Sequence, residues 1–404
     1  METYLNPGNG GFVRILNRTY EDKTGLLSLI NKTIETPDNL TCISRPRRFG
    51  KSYAAQMLCA YYDKTCDSSE LFSGLQITSD PSYSEHLNKY DVLYLDMTGM
   101  IGAAGKEDLV SFIVRNVTRE VTSQYPGVTA QDALFGTLIS TVELTGYKFI
   151  AIIDEWDAPI REAKNPEDQR RYLEFLRSLF KNSGTTACIF AAAYMTGILP
   201  IKKDGSQSAI SDFQENSMLF PWKFAPYVGF TEDEVRVLCE DNDVPFDEMK
   251  HWYDGYEFPE VGSVYNPNSV MKALQYHCFD SFWTESSASE SLMGYINLNY
   301  DGLLKIITDL IGGTSVPVLT TGFANDLKTF RDRNDVLTPY PASFRFRLAT
   351  DTLAFGYDLP AAGRSRDFHP LECELAGRTE KGLLAKCQQP IVKLMISKDL
   401  LKKA

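Results

Sequence analysis

Ser44-Arg45-Pro46-Arg47-Arg48-Phe49-Gly50-Lys51-Ser52 decides how the rest of the chain is read. It stands between a short apolar run, Leu40-Thr41-Cys42-Ile43-Ser44, which reads as a strand, and a helical run from Lys51 to Tyr62. Gly50-Lys51-Ser52 has the make-up of the closing end of a phosphate-binding loop. A glycine lets backbone N–H groups approach a phosphate, and a lysine reaches the β- and γ-phosphates. A serine hydroxyl ligates Mg2+, beside a helix N-terminus that favours anions. Arg45 occupies the place of the first glycine in G-x-x-x-x-G-K-[ST], so the match holds at one end only. A solvated basic turn is the alternative.

A second signal lies downstream. Ile150-Ala151-Ile152-Ile153-Asp154-Glu155 is an apolar strand closing on two carboxylates, the form of a Walker B strand. Asp154 would hold the Mg2+ shell, and Glu155 would orient or deprotonate the attacking water. Carboxylates facing solvent at a strand end are the alternative. The long separation from Lys51 is filled by two amphipathic helices, at about 107–122 and 131–144. Thr196, at the end of a fourth strand, has the placement of a residue that touches the γ-phosphate or the water, or of an ordinary strand-to-loop threonine. Arg47 and Arg48 would either stabilise phosphate charge or form a solvated basic face.

Around these motifs the chain alternates short apolar strands with longer helices, which predicts an α/β sheet. Val92 to Met97 reads as a second strand, and Asn165-Pro166 as the cap and first turn of a helix to about Lys181. After about Pro226 the pattern changes. Thr231-Glu232-Asp233-Glu234 opens a helix in capping-box style, aromatic turns follow at 251–256, and helices are expected at about 267–277 and 300–312. Beyond about Thr338 periodicity weakens among prolines, arginines and glycines.

Composition bounds the function. With 404 residues, two or three domains are expected at about 100–200 residues each. Lys and Arg total 41 against 53 Asp and Glu, a net charge of −12, so nucleic acid could be met only through a local basic patch. Eight cysteines contain no C-x-x-C and four histidines no H-x-x-x-H, so no zinc site is legible. Cys188, in an apolar run, is expected to pack as a small hydrophobe. The first residues lack a signal-peptide pattern, and the longest apolar stretch, 187–200, is short of the roughly 20 residues a bilayer needs. The reading is cytoplasmic, without a membrane partner.

Several segments together resemble one family. They are Tyr20-Glu21-Asp22-Lys23-Thr24-Gly25-Leu26, the loop from Arg45 to Ser52, and Ile153-Asp154-Glu155-Trp156-Asp157-Ala158-Pro159-Ile160. Thr196-Gly197-Ile198, Trp252-Tyr253-Asp254-Gly255-Tyr256 and Val264-Tyr265-Asn266-Pro267-Asn268-Ser269-Val270 complete the set. Over about residues 5–337 the chain resembles the bacterial predicted AAA-ATPase-like family. The resemblance implies a P-loop ATPase core in which an arginine normally replaces the first loop glycine. It also implies a following PD-(D/E)XK nuclease-like domain. From Pro339 to about Lys381 that expectation fails, because no (D/E)-x-K falls on a strand pattern.

The expected architecture is a three-layer α/β P-loop NTPase core with a parallel sheet at 1–225, a smaller, mostly helical lid-like unit at 226–337, and an irregular or truncated segment at 338–404. The expected function is Mg2+-dependent ATP binding and hydrolysis coupled to a conformational change. Arg47, Arg48, Phe49, Gly50, Lys51 and Ser52 would cradle ATP, Ser52 and Asp154 would hold Mg2+, and Glu155 and Thr196 would act on the water. A nucleotide-gated switch with little hydrolysis is the rival, and a nucleic-acid scaffold using Arg45, Arg47 and Arg48 the third. Target, finger arginine (Arg161 or Arg331) and homo-oligomer formation stay open.

Overall fold

A computed structural model of the chain describes residues 3–162, 165–181, 183–198, 201, 210, 212–218, 220–258, 261–280 and 282, and the backbone of five strands between 315 and 387. The chain divides into two compact units, Met1–Arg45 with Gly50–Ser217, and Pro46–Phe49 with Met218–Ala404.

The first unit is built on five parallel strands. β1 (Leu40–Ser44) leads through the loop to α1 (Lys51–Tyr62). β2 (Asp91–Asp96) is followed by α2 (Met97–Ala104), α3 (Leu109–Gln124) and α4 (Leu134–Thr145). Then come β3 (Phe149–Asp154), α5 (Ala158–Glu162), α6 (Pro166–Phe180), β4 (Phe190–Gly197) and β5 (Gln214–Asn216). The strand order is β2-β3-β4-β1-β5. All four pairings are parallel, with Asp96 beside Asp154, Ile153 beside Met195 and Ser44 beside Gly197.

A parallel sheet needs helices on both faces, which is why β3 reads as an unbroken apolar run rather than an alternating one. Every residue from Phe149 to Asp154 is buried. Leu173, Leu176 and Phe180 of α6 pack into the same core as Ile113, Val117 and Val121 of α3. Asn165 caps α6 by accepting the Asp168 amide at 2.9 Å, with Pro166 in the first turn, as the sequence predicts. The fourth strand starts at Phe190. Cys188 falls in the preceding short helix and is exposed, so it is not the packed hydrophobe expected.

The second unit holds β6 (Phe230–Thr231), α7 (Glu232–Asp241), α8 (Phe246–Tyr253), β7 (Asp254–Phe258), β8 (Gly262–Tyr265) and α9 (Pro267–Tyr276). The capping box at Thr231 is present in full, Thr231 with Glu234. Val235, Leu238, Met249, Tyr253, Val270 and Leu274 share one core. The aromatic stretch read as turns is the end of α8 running into an antiparallel β7–β8 hairpin. Tyr253 is needed in the core, so it stays helical.

Further strands are β9 (Ser315–Val318), β10 (Arg345–Ala349), β11 (Thr352–Gly356), β12 (Cys373–Thr379) and β13 (Gly382–Cys387). β10 with β11 and β12 with β13 form antiparallel hairpins in the stretch read as irregular. Arg345-Phe346-Arg347-Leu348 does alternate polar and apolar, a period-two cue the prolines around it mask. The helix expected at 300–312 lies outside the described residues.

Candidate functional site

At the carboxyl edge of the first unit's sheet, β4 lies between β1, which feeds the loop, and β3, which ends in the two carboxylates. Three strand tips and the start of α1 therefore converge on one place. Lys51, Ser52, Asp154, Glu155 and Thr196 all stand there.

Gly50 takes φ +86° at the start of α1, a left-handed turn that glycine adopts without a Cβ penalty. Lys51 is buried, and its Nζ donates to the Arg45 carbonyl at 3.1 Å. Burial lowers the Lys51 pKa, while the Glu155, Asp154 and Asp157 carboxylates work to keep its charge. Arg45 is fully buried, with Nη1 donating to the carbonyls of Ser44 at 3.0 Å and Asn216 at 2.8 Å. Burial pulls its pKa down to about 10. The arginine in place of the loop glycine thus ties β1 to β5 from inside and is no part of a solvated basic face.

Asp154 is 3% exposed. Its Oδ1 accepts the Thr196 hydroxyl at 2.5 Å, and the Ser52 hydroxyl also hydrogen-bonds to it. Burial raises its pKa, and the two hydroxyls and Lys51 oppose that rise. Glu155 has φ +52°, a left-handed backbone for a non-glycine residue. Strand β4 enforces it, because the Glu155 amide donates to Thr196 Oγ1 at 3.3 Å and the Trp156 amide to the Thr196 carbonyl at 2.8 Å. Gly197 must be glycine for a related reason. A Cβ there would lie 2.5 Å from Trp156 Nε1 and 2.8 Å from Asp157 Oδ1.

Three further side chains complete the cluster. Thr98, the second residue of α2, donates to Glu155 Oε2 at 3.1 Å. Arg161 donates from Nη2 to the same oxygen at 3.0 Å and from Nε to Asp157 Oδ2 at 2.8 Å. Burial works against the Arg161 charge, but the Asp157 and Glu155 carboxylates outweigh it and its pKa is raised. Asp157 is fully buried and accepts the Ile198 amide at 3.2 Å. Asp157 stood in the Asp-Glu-Trp-Asp segment quoted for the resemblance, and Arg161 among the finger candidates. Nothing local marked Thr98, which reaches Glu155 only because β2 and β3 are neighbours. Arg331 lies outside the described residues.

Arg47, Arg48 and Phe49 belong to the second unit. The Arg47 carbonyl accepts Asn266 Nδ2 at 3.5 Å, and Arg48, with φ +68°, donates from Nη1 to Asn268 Oδ1 at 2.9 Å. Phe49 is buried.

The donors at the sheet edge fit Mg2+. It is a hard cation that takes oxygen ligands and is commonly bound by one or two protein groups plus substrate phosphates. Ser52 and Asp154 are such a pair, already in hydrogen-bond contact. No cluster of three or more His, Cys, Asp or Glu suited to a metal occurs among the described residues. None of the helices among them is long and apolar enough to cross a membrane.

A parallel sheet flanked by helices, with the loop and the carboxylates at the ends of two strands separated by a third, defines a P-loop NTPase core. Residues 11–206 match the family model described as Predicted AAA-ATPase. No curated protein matches the chain. Among solved structures it is similar to the Aeropyrum pernix ORC2 protein in its ADPNP-ADP complexes. That match has 12% identity, covers 85% of this chain and 90% of that one, and has a TM-score of 0.33.

Proposed function

We propose that the chain is a Mg2+-dependent ATPase that couples hydrolysis to a conformational change. The observation that carries this reading is the meeting of Lys51, Ser52, Asp154, Glu155 and Thr196 at one sheet edge. In that arrangement the amides at the start of α1 and the Lys51 ammonium bind the β- and γ-phosphates. Ser52 and Asp154 hold the ion, which supplies charge neutralisation on the transferring phosphoryl group. Glu155 accepts the proton of the attacking water, and Thr196, already bonded to Asp154 and to the Glu155 amide, holds the Asp154 carboxylate against the Glu155 backbone.

The division into a core at 1–225 and a lid-like unit at 226–337, the cytoplasmic setting and assembly of copies of the chain are proposals that accompany it. Phosphate release from ATP and Mg2+, compared with a Lys51→Ala control, tests the function. Release above the control supports hydrolysis. Binding of ATP without such release supports the nucleotide-gated switch.

A further inference from the structure

Glu155 is only partly buried, with its side chain 26% exposed, whereas its neighbour Asp154 is 3% exposed. A general base must meet the water within hydrogen-bond reach and at a defined angle, and a small misplacement is costly. Something other than packing must therefore aim this carboxylate. Arg161 has the required geometry. Its side chain is only 10% exposed, and its guanidinium spans two carboxylates, Nε on Asp157 and Nη2 on Glu155. Asp157 is itself immobilised, fully buried and bonded to the Ile198 amide beyond β4. The planar fork of an arginine fixes the angle between two partners, which the single charge of a lysine does not.

We propose that Arg161 is the positioning residue for Glu155, acting within its own chain, with Asp157 as its anchor. The inference rests on the ATPase reading above. On this view Arg161 acts on the base and not on the transferring phosphate. The charges around Glu155 are Arg161 and Asp157 after the strand, Asp154 on β3 and Lys51 on α1. Asp96 ends the neighbouring β2. Lys51 remains to bind phosphate when Arg161 is changed, so nucleotide affinity and turnover separate.

The test uses the full chain with Mg2+ and ATP for turnover, and a non-hydrolysable ATP analogue for calorimetric affinity. Arg161→Met should lower kcat at least about tenfold, while KM and analogue affinity stay within about threefold. In a Glu155→Gln background the same change should lower kcat no further, because a positioning residue acts through the base it positions. Arg161→Lys, which preserves charge and bulk and guards against misfolding, should recover only part of the rate. An unchanged or faster Arg161→Met, an equal loss of affinity and rate, or a further drop in the Glu155→Gln background would each overturn the proposal. If the unmodified chain releases phosphate no faster than Lys51→Ala, the ATPase reading fails and takes the inference with it. If it turns over and Arg161→Met matches it, only the inference fails.

Discussion

Strands β2 and β3 lie side by side and end on the same residue at the same register, Asp96 beside Asp154. After Asp96 the chain enters a helix at once, and the amides of Thr98 and Gly99 close on its Oδ1, each at 3.1 Å. After Asp154 the left-handed Glu155 swings the backbone aside, and hydroxyls from α1 and β4 take the place of amides. One aspartate is absorbed as a helix cap; the other is held by side-chain hydroxyls at the sheet edge. A carboxylate at a strand tip has no role by itself, because the backbone of the next residue decides which partners reach it.

The largest effect expected at the two tips is on chemistry. Glu155→Gln retains shape and polarity but loses the base, so turnover should fall about 100-fold or more with ATP still bound. Single-turnover phosphate release measures it, and an undiminished rate would put the β3 tip on the same footing as the β2 tip. Lys51→Ala removes the cation facing the β3 carboxylates. ATP affinity should weaken by about 2 kcal/mol or more, in the range of charge-assisted hydrogen bonds, with equal calorimetric affinity as the contrary result.

Gly197→Ala probes the close approach that lets β4 hold the Asp-Glu-Trp-Asp turn. With no room beside Trp156 and Asp157, stability should drop by about 1–3 kcal/mol, as for overpacked cores. Denaturant unfolding gives the value, and an unchanged midpoint would mean that the turn yields without cost. The smallest effect belongs to the β2 tip. Asp96→Ala should cost about 1 kcal/mol of stability, the usual worth of an N-cap, and leave ATP affinity within about twofold. A loss of affinity as large as that of Lys51→Ala would erase the distinction between the tips.

The sequence made the elements of the core legible because each carries its own periodicity. The unbroken apolar run of β3 needs helices on both faces, and Asn165-Pro166 and Thr231 through Glu234 mark helix starts by hydrogen-bonding chemistry that is local. The β7–β8 hairpin was hidden behind aromatic residues whose helical or turn conformation depends on whether Tyr253 is needed in the core. The turn from β1 into α1 was legible from Gly50-Lys51-Ser52 because one tripeptide supplies the conformation, the charge and the hydroxyl together.

Other features depend on residues far apart in the chain. Arg45 looks like surface charge in a run of arginines, yet it is buried because β5, far along the sequence, offers the Asn216 carbonyl. Thr98 is an ordinary helix residue until strand order brings it to Glu155. The sequence by itself determined the parallel α/β core, the loop and the carboxylate strand, since period, glycine placement and charge act over a few residues. Which carboxylate is capped by amides, which is met by hydroxyls, and which arginine reaches Glu155 were decided only by tertiary structure. Those roles depend on contacts of about 3 Å between strand tips, and no spacing along the chain encodes them.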